Sequence, residues 1–214
     1  EELQSQALGL VERYERDAAK LSKQRKRAAD KLVQAAGKIL ASLAMDQCTL
    51  EVALRPREAD NPHPHGREDI EFLISTNPGA PTQPLGKIAS GGELSRISLA
   101  IQVVTASAGT PSSMVFDEVD VGIGGAVAEV VGRLLRTLSA KAQVLCVTHL
   151  PQVAAQGHQH LQVSKHSSAD SVETSLARLE GEDITRESAR MLGGVKITEQ
   201  SLAHAREMLE VAQA

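Results

Sequence analysis

From Glu1 to about Leu43 the chain contains no proline and only two glycines, Gly9 and Gly37. Along this stretch Leu3, Ala7, Leu10, Tyr14, Ala18, Leu21, Arg25, Ala28, Leu32, Ala35 and Ile39 recur in steps of four and three. That spacing predicts one long helix with a narrow seam of the coiled-coil kind, not the wider face of a core helix. A second consecutive four-residue step near Tyr14 and Ala18 would loosen a supercoil locally. Arg25 is the one charged member of the seam. Nothing else in the chain supplies a matching run of heptads, so the helix is expected to dimerise or to pair with sequence upstream. A start at Glu1, without Met and inside a helical pattern, fits a fragment. The basic cluster Lys20, Lys23, Arg25, Lys26, Arg27, Lys31 reads either as a contact for DNA phosphates or as a solvated flank.

After Asp46 the period changes. "CTLEVALR" and "DIEFLIS" alternate as strands do, around the polar loop "PREADNPHPHGRE". His63 and His65 in that loop lack the further spaced ligands a metal site needs, and an ordinary loop is the expectation. "NPGAPTQPLG", from Asn77 to Gly86, holds three prolines and two glycines and is expected to be irregular. Helices and short apolar strands then alternate: a helix within Ile88–Ala108, the strand "SMVFDE", a helix over Gly125–Leu138 and the strand "AQVLCVTH". A short turn of helix at Pro151–Ala155 and a hairpin of "HLQVSKH" and "SVETSLARL" follow. Two helices close the chain, Ile184–Leu192 and Thr198–Ala212, with Gly193 and Gly194 as the cap between them. Unalternating strands between helices point to an α/β fold with a buried, largely parallel sheet.

Bulk properties narrow the class. A chain of 214 residues holds one domain with an appendage or two small ones. Tyr14, Phe72 and Phe116 are the only aromatics, so the core must be aliphatic. A net charge of −4 argues against a generally basic DNA-coating protein but not against a local basic stripe. Two cysteines, Cys48 and Cys146, do not make a disulfide framework, and no apolar run approaches the ~18 residues that span a bilayer. A soluble protein of a reducing cytoplasm, with no membrane partner, is expected.

Three short motifs carry chemistry. Asp117 and Glu118 end an apolar strand, where α/β sheets open into ligand crevices. One carboxylate there suits Mg²⁺ and the other can orient a water for attack on a γ-phosphate, although an acidic strand end needs no such role. His149 ends a second strand, where a capping histidine is the plainer reading. Ser90, Gly91, Gly92 and Glu93 open a helix. Helix starts offer free N–H groups and positive potential, and glycine lets an anion approach the backbone. A simple cap explains the serine but not two residues that weaken a helix by about 1 kcal/mol each.

In this order the motifs resemble the C-terminal lobe of an ABC-type ATPase head. Ser90 to Glu93 match its signature, Asp117 and Glu118 the Walker B pair, Asp120 the D-loop and His149 the switch histidine. "GKIASGGELSRISLAIQVV", "VFDEVDVGIGG", "VLCVTHLPQVAA" and "MLGGVKITEQSLAHAREML" are similar to the SMC-like DNA repair proteins. Transporter subunits usually read D-E-P after the strand and carry Gln in the signature; this chain reads "DEVD" and "SGGE".

The resemblance implies a returning coiled-coil helix over residues 1–45 and a head lobe over 46–214. It implies ATP and Mg²⁺ as cofactors, with Asp117 on the metal, Glu118 orienting water and His149 sensing the γ-phosphate. Ser90, Gly91 and Gly92, with Glu93 and Asp120 beside the nucleotide, would cap ATP held by a second head in a homodimer. The N-terminal lobe of the same protein and DNA are the implied partners, in the nucleoid. No G-x-x-x-x-G-K-[ST] occurs, and "GGVKIT" has the wrong spacing, so the chain alone is expected neither to hold ATP tightly nor to hydrolyse it. A non-catalytic coiled-coil scaffold and a transporter ATPase subunit are the alternatives.

Overall fold

The computed structural model describes residues 2–57, 62–88, 90–106, 109, 111–167, 172–193 and 196–213. Glu1, Ala89 and Gly194, each part of a sequence motif, lie outside them. The chain divides into two compact units, Glu1–Ser90 and Gly91–Ala214.

In the first unit, helix α1 runs over Glu2–Ser42. Strands β1 (Thr49–Pro56) and β2 (Glu68–Ser75) pair antiparallel, setting Leu50 opposite Ile74, Val52 opposite Phe72 and Leu54 opposite Ile70. The stretch expected to be irregular contributes a two-residue strand, β3 (Gln83–Pro84), beside β2, and then a 3₁₀ turn over Leu85–Lys87. Pro84 is tolerated because it sits on an edge, where no ladder N–H is required.

Of the expected seam, Ala18 is buried, Tyr14, Leu21, Arg25, Leu32, Ala35 and Ile39 are half-buried and Ala28 is exposed, while Leu3 and Leu10 are 81% and 67% exposed. The fully buried positions farther along are Ala36, Leu40 and Leu43, each outside the expected series, so the seam remains least covered over the first turns. Arg25, the charged member of the seam, meets Glu68 of β2 at 3.3 Å, both side chains largely covered. The loop between β1 and β2 folds back on the same helix, where the His63 N–H donates to the Tyr14 hydroxyl at 3.1 Å. His63 itself accepts the His65 N–H at Nδ1, 3.1 Å, as loop histidines do.

The second unit opens with α2 (Gly91–Thr105), β4 (Ser113–Phe116), α3 (Gly125–Ser139), β5 (Gln143–Cys146) and α4 (Pro151–Ala154). A hairpin of β6 (His160–Ser167) and β7 (Val172–Leu179) follows, then α5 (Glu182–Met191) and α6 (Glu199–Gln213). Gly193, with φ +111°, turns the chain after α5 as expected. The core is aliphatic: Ile97, Leu99 and Ala100 of α2, Met114 of β4, Val131 and Leu138 of α3, with Phe116 the one aromatic.

Strands β4 and β5 pair in parallel, and among the described residues they are the whole parallel sheet. One face carries buried Met114 and Phe116; on the other, Val115, Leu145 and Val147 are 71%, 43% and 61% exposed. The apolar runs had implied cover on both faces, and this chain supplies it on one.

Breaking the Arg25–Glu68 pair leaves a half-buried charge without its partner. Arg25→Ala or Glu68→Ala should each cost about 1–3 kcal/mol in urea unfolding. The double variant should lose less than the sum, and strict additivity would show that the pair contributes nothing.

Candidate functional site

The site is built at the carboxyl ends of β4 and β5. Phe116 and Cys146 are the last register pair, and the Val147 N–H donates to the Phe116 carbonyl at 2.9 Å. Asp117 and Glu118 leave one strand end, Thr148 and His149 the other, so hydrogen-bonded parallel neighbours deliver the acid pair and the histidine to one edge.

The turn from Asp117 to Val121 is held tightly. Asp117 Oδ1 accepts the Glu118 N–H at 2.9 Å, and the Val121 N–H reaches the Glu118 carbonyl at 3.2 Å. From the first turns of α2, the Ser95 hydroxyl donates to the Asp117 carbonyl at 2.7 Å and Arg96 Nη1 to the Val121 carbonyl at 2.8 Å. These bonds hold Glu118 at φ +57°, a left-handed conformation that costs a residue with a Cβ about 1–2 kcal/mol.

Asp120 is 1% exposed. Its Oδ2 accepts the Thr148 hydroxyl at 2.5 Å and the His149 N–H at 3.0 Å, and lies 3.3 Å from His149 Nδ1. A buried carboxylate is costly unless so satisfied. With its partners inside the chain, Asp120 turns Nδ1 of a two-thirds exposed imidazole inward.

One of the two glycines has a reason within the chain. A Cβ on Gly92 would lie 3.2 Å from the carbonyl oxygens of Glu118 and Val121, and one on Gly91 would lie 2.0 Å from Glu118 Oε2. The 117–121 turn thus presses on Gly92, where a Cβ would push backbone carbonyls aside, whereas at Gly91 the close atom is the movable end of the Glu118 side chain. The Glu118 carboxylate rests at the start of α2, where the positive end of the helix dipole favours an anion. Glu93 stands half-buried in the first turn of α2. Gly91, Gly92, Asp117, Glu118, Asp120 and His149 are therefore gathered in one unit, and Ser90 ends the other, one residue before α2.

Sequence reasoning misses Thr148, Ser95 and Cys146. The hydroxyls beside the histidine and in the first turns of the motif helix were the available signals. Exposed Asp117 has one oxygen engaged and one left, which fits Mg²⁺, a cation that takes one or two carboxylates and completes its shell with phosphate and water. Among the described residues no three His, Cys, Asp or Glu side chains gather into an all-protein cage.

Cys146 reports on this edge. Burial, and then the charges of Asp120 and Asp117, push its thiol up to about 12. At pH 8 Cys146 should react with a disulfide reagent far more slowly than a free thiol. Asp117→Asn should speed it modestly, because burial and Asp120 hold the thiol up more than Asp117 does; an unchanged rate would mean that the Asp117 charge does not reach the thiol.

No family model matches the chain. It is 49% identical over 201 residues to the DNA repair protein RecN of Xylella fastidiosa, covering 94% of this chain and 36% of that protein. RecN of Vibrio cholerae is 49% identical over 195 residues, covering 91% and 35%, and RecN of Bacillus subtilis 38% over 209 residues, covering 92% and 36%. The chain thus spans about a third of the length of the curated relatives it matches. In structure it resembles the Smc head domain with a coiled coil and joint from Pyrococcus yayanosii, with a TM-score of 0.55 at 18% identity over 79% of this chain and 30% of that one. No described helix is long and apolar enough to cross a membrane. Over nearly its whole length the chain belongs to the family of the DNA repair protein RecN, matching its C-terminal part.

Proposed function

We propose that this chain is the C-terminal half of a divided ATPase centre whose turnover, in the complete protein, drives recombinational repair of DNA double-strand breaks. The observation that carries this reading is the convergence of Asp117, Glu118 and an Asp120-oriented His149 on the ends of two paired parallel strands. Mg²⁺-bound ATP would supply the transferable γ-phosphoryl group, and Asp117 is the carboxylate suited to its metal. Glu118 would orient the attacking water, and His149 Nε2 would meet the γ-phosphate.

The motif that cradles the β- and γ-phosphates is lacking from this sequence, and the proposal assigns it to the N-terminal lobe of the same protein. The uncovered apolar face of Val115, Leu145 and Val147 supports such a covering partner, since exposed patches of this kind mark interaction sites. Ser90, Gly91 and Gly92 would cap ATP held by a second head, so that two copies complete two sites; Glu93 and Asp120 flank that cap as supporting groups. The Glu118 carboxylate now rests against Gly91, so arrival of a phosphate at the start of α2 would displace it. One anion replaces another at the same helix end. The complete protein would work on DNA in the cytoplasm, at the nucleoid.

In the full-length protein, Glu118→Gln should lower steady-state hydrolysis about 100-fold or more while ATP stays bound and heads stay engaged. Near-native turnover would remove Glu118 from this role. The 214-residue chain by itself should show neither tight ATP binding nor hydrolysis, and Glu118-dependent turnover by it would contradict the divided site.

A further inference from the structure

Helix α1 has a second face. Arg16, Lys20, Lys23, Arg27, Lys31 and Lys38 all fall within an arc of about 80° at 3.6 residues per turn, opposite the arc of Ala18, Arg25, Ala36 and Leu43. All six are exposed. Among the described residues none of them is in an ion pair, whereas Arg25, on the other face, is held by Glu68. The ridge is about 33 Å long at 1.5 Å per residue. Residues 13–38 carry nine Lys or Arg and three Asp or Glu, in a chain whose net charge is −4.

A solvated helix flank alternates its charges, with opposite signs four residues apart. Here Arg16 and Lys20, Lys23 and Arg27, and Arg27 and Lys31 are like-charged neighbours at that spacing, an arrangement that weakens a helix in water. We infer that this ridge is a docking surface for the phosphate backbone of duplex DNA. The inference rests on the reading that DNA is the partner of the complete protein, and it adds which surface of this chain meets it.

The composition of the ridge selects the occupant. No aromatic side chain lies on it, so it offers no platform on which the bases of a single strand stack. Gln34 lies between the cations and Ala19, Gln24, Asp30 and Gly37 lie along the margins of the arc, so no large apolar group is available to enter a membrane. What remains is a row of point charges about as long as one turn of duplex, suited to phosphates and blind to sequence.

The test is the salt dependence of binding of the 214-residue chain to a 30-base-pair duplex, followed by fluorescence anisotropy. Six phosphate contacts predict a slope of log K against log salt of about −5. Replacing four of them, as Lys20→Gln, Lys23→Gln, Arg27→Gln and Lys31→Gln together, should bring the slope to about −2. The same number of changes at exposed positions of the second unit, as Lys141→Gln, Lys165→Gln, Arg186→Gln and Lys196→Gln, should leave it within about one of the native value. All eight positions are exposed, so unchanged helical circular dichroism is expected throughout. An unchanged slope in the ridge variant overturns the ridge and leaves DNA as the partner. Equal loss in the second-unit variant, tighter binding of a single strand of the same length, or no binding of the duplex in 50 mM salt overturns the inference outright.

Discussion

A single buried carboxylate organises the site. Asp120 lies in the turn that follows β4, yet its partners, the Thr148 hydroxyl and the His149 backbone N–H and ring, all belong to the segment that follows β5. An anion removed from water must be satisfied by donors of the protein, and these donors can satisfy it in one arrangement of the two strand ends. On the far side of the same turn, Ser95 and Arg96 grip the carbonyls of Asp117 and Val121, and Gly92 leaves room for that approach. Five residues are thereby fixed from two directions.

This grip explains how the chain sustains Glu118 at a positive φ. Strain of that kind persists where neighbouring interactions over-determine the backbone, and it accumulates at sites with chemistry to perform. It also links the elements the proposed reaction needs. The strand that ends in the acid pair, the strand that ends in the histidine and the helix that opens with two glycines share one five-residue turn. The open face of the β4–β5 pair and the uncovered first turns of α1 are the surfaces that the proposed function assigns to other parts of the complete protein.

Much of the fold was legible in the sequence because period and punctuation agreed. "SMVFDE" became Ser113–Phe116 with both carboxylates just past the strand, and the proline-free seam became α1. Motif order placed the acid pair and His149 at strand ends, and parallel pairing made those ends neighbours. What was not legible depends on contacts distant in sequence. The purpose of Arg25 is Glu68, forty-three residues away. The purpose of Gly92 is, in part, the turn from Asp117 to Val121. Thr148 acquires its role from the inward-facing Asp120, whose burial no local pattern announces. An apolar run likewise records that a strand is to be covered, but not which part of the protein covers it.

The central claim is that the acid pair of one copy works with the helix start of another. Mixing two inactive full-length variants, one carrying Ser90→Arg and the other Glu118→Gln, tests it directly. A heterodimer then holds one centre with native Glu118 facing native Ser90, and steady-state ATP hydrolysis should reappear in the mixture. Heterodimers that form but remain as inactive as their parents would contradict the account.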